Sequence, residues 1–185
     1  WVKVFDQQRK SKNNQSEPIA EQVAEATGAA PNDYRVEALQ VLLSLPPAGF
    51  ERLAQRILRE AGFTQVTVTG QSGDGGIDGY GTLQINDLVS FKVLFQCKRY
   101  TKSVSSPEVR DFRGAMAGRA DKGIVITTGT FTAEAKKEAS RDGVPPIELI
   151  DGERLIDMLE NLEIGLKPVT TYEVDHGFFT EFRQV

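Results

Sequence analysis

Apolar positions first recur at helical spacing over residues 34–45, where Val36, Leu39, Leu42 and Leu43 mark a helix that Pro46-Pro47 stops. Phe50, Leu53, Ala54, Ile57, Leu58 and Ala61 then follow an i, i+3, i+4, i+7, i+8, i+11 pattern, predicting a second helix from Pro47 or Ala48 to Gly62. The period changes to two at TQVTVT, residues 64–69, whose β-branched alternation reads as a half-buried strand. Two further strands flank Asn86-Asp87, the expected hairpin turn. Ser105-Ser106-Pro107-Glu108 has the residues of a helix start, with a Ser cap, Pro in the first turn and Glu three after Ser105. Val109, Phe112 and Met116 form that helix's apolar stripe, leaving Arg110 and Arg113 for other faces. The run GIVITTG, residues 123–129, predicts a strand buried on both faces. Thr132 caps a helix over 133–140, residues 147–150 form another short buried strand, and Asp151 caps a helix carrying Leu155, Met158, Leu159 and Leu162. Helices and strands alternate here, which predicts an α/β fold with parallel pairing through crossovers.

Outside this patterned region, residues 7–33 are polar and read as a linker or arm. Trp1, Val2, Val4 and Phe5 are the expected remnant of an upstream domain, and the start without Met suggests a fragment. After Gly165 the aromatics Tyr172, Phe178, Phe179 and Phe182 are scattered, and the expectation is a packed C-terminal arm. The predicted division is therefore 1–33, a domain over 34–164, and an arm over 165–185.

Composition narrows the class. No apolar run approaches the roughly 18 residues of a membrane span, and the start lacks a signal-length apolar stretch. One cysteine in 185 residues cannot form an internal disulfide, so the expected compartment is reducing cytoplasm. The formal charge of −4 argues weakly against nucleic acid. Its distribution argues the other way, because residues 98–122 hold seven Lys/Arg against three acids.

The candidate chemistry lies in residues 70–100, GQSGDGGIDGYGTLQINDLVSFKVLFQCKRY. A hairpin folded symmetrically about Asp87 places position 78 opposite position 96. Asp78, Gln96 and Lys98 then share one face, and Ile77, Phe95 and Cys97 share an apolar one. Mg²⁺ takes a few hard oxygens and keeps several waters, so the Asp78 carboxylate, the Gln96 amide oxygen and the Cys97 backbone carbonyl suffice to hold it. Mn²⁺ is the expected substitute. Lys98 would orient or deprotonate a water and stabilise charge on a phosphoryl group. Glu51, on the edge of the second helix's buried stripe, would add a carboxylate directly or through water. Such a constellation suits phosphodiester hydrolysis.

The blocks GFERLAQRILREAGF, SGDGGIDGYGTL, VLFQCKRY, EVRDFRGAMAG, KGIVITTGTFTAEAKKEA and IELIDGERL, in that order over about residues 46–162, resemble the catalytic domain of Mrr-type (type IV) restriction endonucleases. These belong to the PD-(D/E)xK nuclease superfamily, in a branch where Gln replaces the acid before x-Lys. The resemblance implies an αβββαβ core with a mixed central sheet flanked by helices. It also implies Mg²⁺-dependent cleavage of double-stranded DNA and restriction of modified, typically methylated, foreign DNA. Residue by residue, Asp78 matches the motif aspartate, Gln96 the substituted acid, Lys98 the motif lysine and Glu51 the first-helix glutamate, while Asp74 matches a loop position of second rank. The resemblance also implies an N-terminal winged-helix-like DNA-reading domain, of which residues 1–5 are the expected remnant. Cutting both strands takes two sites or two events, so a homodimer on DNA is expected. Two other readings fit the same residues: a junction-resolving or repair nuclease of the superfamily, and a catalytically inactive DNA-binding domain.

Arg99, Lys102, Arg110 and Arg113 are candidate phosphate contacts as a group near the site. Gly75 and Gly76 permit close backbone approach to DNA or a tight turn. Thr127 and Thr128 end a buried strand, where α/β proteins place functional groups, although capping explains them as well. The Cys97 thiol points to the core with no partner histidine, and His176 lies in the irregular tail.

Overall fold

Two amphipathic helical layers need a sheet that is apolar on both faces, and the runs VLF at 93–95 and GIVIT at 123–127 supply it. The computed structural model describes residues 34–69, 76–170, 174 and 182. Its helices are α1 (Tyr34–Ser44), α2 (Pro47–Glu60), α3 (Ser106–Met116), α4 (Ala133–Ala139) and α5 (Gly152–Asn161). Its strands are β1 (Phe63–Val68), β2 (Gly79–Asn86), β3 (Val89–Lys98), β4 (Ser103–Val104), β5 (Lys122–Thr127), β6 (Thr130–Phe131) and β7 (Ile147–Ile150). Five strands form one mixed sheet in the order β1-β2-β3-β5-β7, and β4 pairs with β6 alone. Pairing is antiparallel from β1 to β3 and parallel from β3 through β5 to β7. The α2-β1-β2-β3-α3-β5 succession is the expected αβββαβ core. Among the described residues no helix is long and apolar enough to cross a membrane.

One face of the sheet packs Val93, Phe95 and Ile126 against Phe50 and Ile57 of α2 and Leu155 of α5. The other packs Leu94 and Val125 against Val109, Phe112 and Met116 of α3 and Ala135 of α4. Strand β3 is therefore apolar on both faces over residues 93–95, which corrects the expectation of one apolar and one chemical face. Being central, it is covered on both sides there; Ser90 and Lys92 lie in its exposed first half, and the buried polar Gln96 comes only at its C-terminal end. A second correction concerns Ile77, which packs with Leu94 on the α3–α4 side and not with Phe95 and Cys97. It precedes the first residue of β2 and follows Gly76 at φ +80°, so strand alternation does not reach it.

The hairpin register matches the expectation: Gly79 faces Phe95, Thr82 faces Lys92 and Gln84 faces Ser90, symmetric about Asp87. The turn itself sits one residue later than predicted, at Asp87-Leu88. Asn86 causes the shift, because its side-chain oxygen accepts the amides of Leu88 and Val89, each at 2.9 Å. Helix α1 is held less by its apolar stripe than predicted, since Leu42 is buried but Val36 is exposed. Its N-terminal end is instead tied to α5, where Arg35 meets Asp157 at 2.7 Å and Glu160 at 2.5 Å and the Tyr34 hydroxyl donates to Glu160 at 2.7 Å. Residues 1–33, His176, Tyr172, Phe178 and Phe179 lie outside the described residues, and Phe182 is exposed.

Candidate active site

The polar end of β3 meets the entry to β2, and the backbone there is fixed before any side chain is considered. The Asp78 amide donates to the Phe95 carbonyl at 3.0 Å, and its carbonyl accepts the Thr69 amide at 2.8 Å. The Asp78 carboxylate then accepts the Cys97 amide at 2.6 Å. Within a strand the N–H and C=O of one residue point to the same neighbour, so the Cys97 carbonyl faces the side on which this carboxylate sits. The next carbonyl, of Lys98, faces β5 and accepts the Thr127 hydroxyl at 2.7 Å.

Gln96 is 7% exposed. Its Nε2 donates to the Gly76 carbonyl at 2.5 Å, which fixes the amide's orientation and leaves Oε1 on the other side. That oxygen is buried and has no hydrogen-bond partner among the described residues. An unsatisfied buried acceptor costs about 1–3 kcal/mol, a cost retained where an absent ligand repays it. A hard cation fits this oxygen, the Cys97 carbonyl and the Asp78 carboxylate as a donor set. Among the described residues no three His, Cys, Asp or Glu converge as a metal cluster. A cation held here would rely instead on one carboxylate, one amide and one backbone oxygen.

Glu51, half-buried in the first half of α2, reaches the same neighbourhood. Burial pushes the Cys97 thiol well above its ordinary range, and the negative charges of Asp78 and Glu51 push it further. The thiol is thus neutral and poorly suited to nucleophilic chemistry.

The Lys98 ammonium is paired with Glu108 at 3.3 Å and lies 5.2 Å from the centre of the Tyr100 ring, with the Tyr100 hydroxyl at 3.5 Å. Glu108 also accepts the Ser105 amide and hydroxyl at 2.8 Å each, closing the predicted capping box. Partial burial raises the Glu108 pKa, but the Ser105 bonds and the Lys98 charge outweigh it and hold the carboxyl below the usual range. Sequence reasoning saw Glu108 as a cap and missed its contact with Lys98. The only available signal was that the chain returns ten residues after Lys98 with an acid at a helix start.

Thr127 and Thr128 are buried, and the Thr128 hydroxyl donates to the Tyr100 carbonyl at 2.7 Å. Both hydroxyls are committed to holding residues 98–100, so these threonines support the site from behind. Arg99 is exposed and donates to the Leu43 carbonyl of α1 at 2.5 Å; with Tyr100 and Lys102 it lines a surface cleft. Arg110 is exposed on α3, 3.8 Å from Glu138. Arg113 corrects the expectation of a phosphate contact: it is 8% exposed, pairs with Glu138 at 3.3 Å and donates to the Pro145 carbonyl at 2.5 Å and to those of Glu138 and Ala139. It clamps α3 to α4. Gly76 serves as a tight turn whose carbonyl holds Gln96, while Asp74 and Gly75 lie outside the described residues.

Residues 42–159 match the family Mrr_cat, described as restriction endonuclease. The type IV methyl-directed restriction enzyme EcoKMrr of Escherichia coli (strain K12) is 36% identical over 135 residues, covering 70% of this chain and 43% of that protein. The chain thus spans less than half the length of that relative. Among solved structures, the MspJI restriction endonuclease in complex with a 27-mer oligonucleotide aligns with a TM-score of 0.58 and 30% identity, over 71% of this chain and 32% of that one. The DNA modification-dependent restriction endonuclease AspBHI aligns with a TM-score of 0.60 and 23% identity, over 72% and 37%, a likeness of fold.

Proposed function

Because the chain belongs to the Mrr-type restriction endonuclease family, we propose that it is the catalytic domain of a divalent-metal deoxyribonuclease that hydrolyses phosphodiester bonds of modified double-stranded DNA. The observation that carries the reading is the buried, unpartnered Gln96 Oε1 at the strand end whose Cys97 amide bonds the Asp78 carboxylate. Asp78, Gln96 Oε1 and the Cys97 carbonyl would hold Mg²⁺ or Mn²⁺, with Glu51 acting directly or through water. When bound, such an ion polarises the phosphate and lowers the pKa of a coordinated water.

The chain's own residues do the rest. The Cys97 amide keeps the Asp78 carboxylate turned toward the strand end, and the Gly76 carbonyl keeps the Gln96 oxygen turned away from itself. Lys98 supplies a positive charge for the phosphoryl oxygens and orients the attacking water. Arg99, Lys102 and Arg110 contact flanking phosphates, which positions DNA without reading its sequence. EcoKMrr is named as methyl-directed, and we carry methylated DNA over as the substrate class, with a homodimer on DNA and a cytoplasmic setting.

Asp78→Ala and Lys98→Ala should each lower cleavage of methylated plasmid with Mg²⁺ by at least about 100-fold while leaving circular dichroism unchanged. Full activity in either variant would sink the assignment. A non-catalytic reading draws on one observation, the lack of a second described acid in the place of Gln96. Titration calorimetry separates the two: heat of Mg²⁺ or Mn²⁺ binding in the presence of DNA, lost in Asp78→Ala, supports the nuclease, and no heat supports the binding module.

A further inference from the structure

We propose that Glu108 is a positioning residue for Lys98, so that a single carboxylate both caps helix α3 and aims the ammonium of the site. The inference rests on the nuclease reading for its consequence and on geometry for its substance. A capping box needs one oxygen from its third helical residue. Glu108 Oε2 fills that need, taking both the Ser105 amide and the Ser105 hydroxyl. The other oxygen, Oε1, is left over from capping and faces Lys98 Nζ at 3.3 Å.

Lysine carries four rotatable stem bonds, and holding its head in one place costs rotamer entropy. Here the place is enclosed from two directions. Glu108 lies on one side and the Tyr100 ring, 5.2 Å from Nζ, on another. The carboxylate is itself anchored, because it accepts two bonds from Ser105 at the start of a helix seated by Val109 and Phe112, both fully buried. Tyr100 is held in turn by the Thr128 hydroxyl on its carbonyl. The aim of Lys98 is thus set by the start of α3 and by the end of β5, two elements of the folded core.

The test separates capping from aiming. Glu108→Gln keeps a side chain that capping boxes accept but presents a neutral group to Lys98. Ser105→Ala removes the cap hydroxyl and leaves the 98–108 pair. The first readout is the ¹³C–¹H spectrum of the Lys98 methylenes, whose ammonium lies 5.2 Å from the centre of the Tyr100 ring. In the native chain they should be ring-shifted; in Glu108→Gln they should move toward free-lysine positions, and in Ser105→Ala they should stay. The second is single-turnover cleavage, which should fall roughly 10- to 100-fold in Glu108→Gln, as misplacement of a catalytic group does, with DNA affinity unchanged. Unmoved Lys98 signals in Glu108→Gln, or equal movement in both variants, would overturn the proposal. Failure of the native chain to cleave would instead count against the nuclease reading, and the Lys98 spectrum would still decide the positioning.

Discussion

Gly76 and Gln96 form one unit. A Cβ at position 76 would lie 2.2 Å from Gln96 Nε2, and the backbone there has φ +80°, a conformation that costs other residues about 1–3 kcal/mol. Gly76→Ala should therefore lower stability by that order and weaken metal binding by displacing the amide, measured by urea denaturation and by calorimetry with Mn²⁺. The hairpin symmetry gave the register that sets Gly79 opposite Phe95, beside Asp78 and Gln96, directly from sequence, because strand period and turn chemistry are local. The inward thiol and outward carbonyl of Cys97 followed from the same alternation. The Gly76 clamp was illegible, since a glycine-rich loop has no period from which to infer where a carbonyl points. Glu108 was legible as a cap and illegible as a partner of Lys98, because the loop between them determines their approach.

Helix α3 shows where a polar residue can mislead. Arg113 lies four residues after Val109 and next to Phe112, on the buried stripe by the same spacing that identified Val109, Phe112 and Met116. Its charge suggested a surface contact, yet the long side chain passes through the core edge to Glu138, whose side chain is itself only 10% exposed. Breaking a buried pair costs about 3–5 kcal/mol. Arg113→Ala should lose about that much in urea unfolding, whereas a phosphate contact would change DNA affinity and leave stability alone. The N-terminus of the same helix gives a pH dependence. Glu108 has a depressed pKa in the folded chain, so its contribution to stability is complete above the ordinary glutamate range and is lost as pH falls through its folded value. Glu108→Gln should flatten the acid side of the stability profile, and thermal melts from about pH 5 to pH 3 would measure it.

For the molecule as a whole, a net charge of −4 coexists with a basic strip that follows the site. Of the candidates in that strip, Arg99, Lys102 and Arg110 remain exposed after Arg113 is withdrawn into the core. Each phosphate contact removed should lower the slope of log affinity against log salt by about 0.9, so Arg99→Ala with Lys102→Ala should lower it by about 2 without changing sequence preference. The fold class, strand order within the hairpin and both helical layers were readable from periodicity. What periodicity could not supply was which of two buried faces a residue such as Ile77 would join. The clamp on Gln96 also constrains descent. Restoring an acid at position 96 would set a carboxylate oxygen against the Gly76 carbonyl, where no proton is available to bridge them. Gln and acid at this position are therefore alternative solutions separated by a change of loop, not a single substitution apart. In aligned relatives, the glutamine should be inherited together with the glycine turn that holds it.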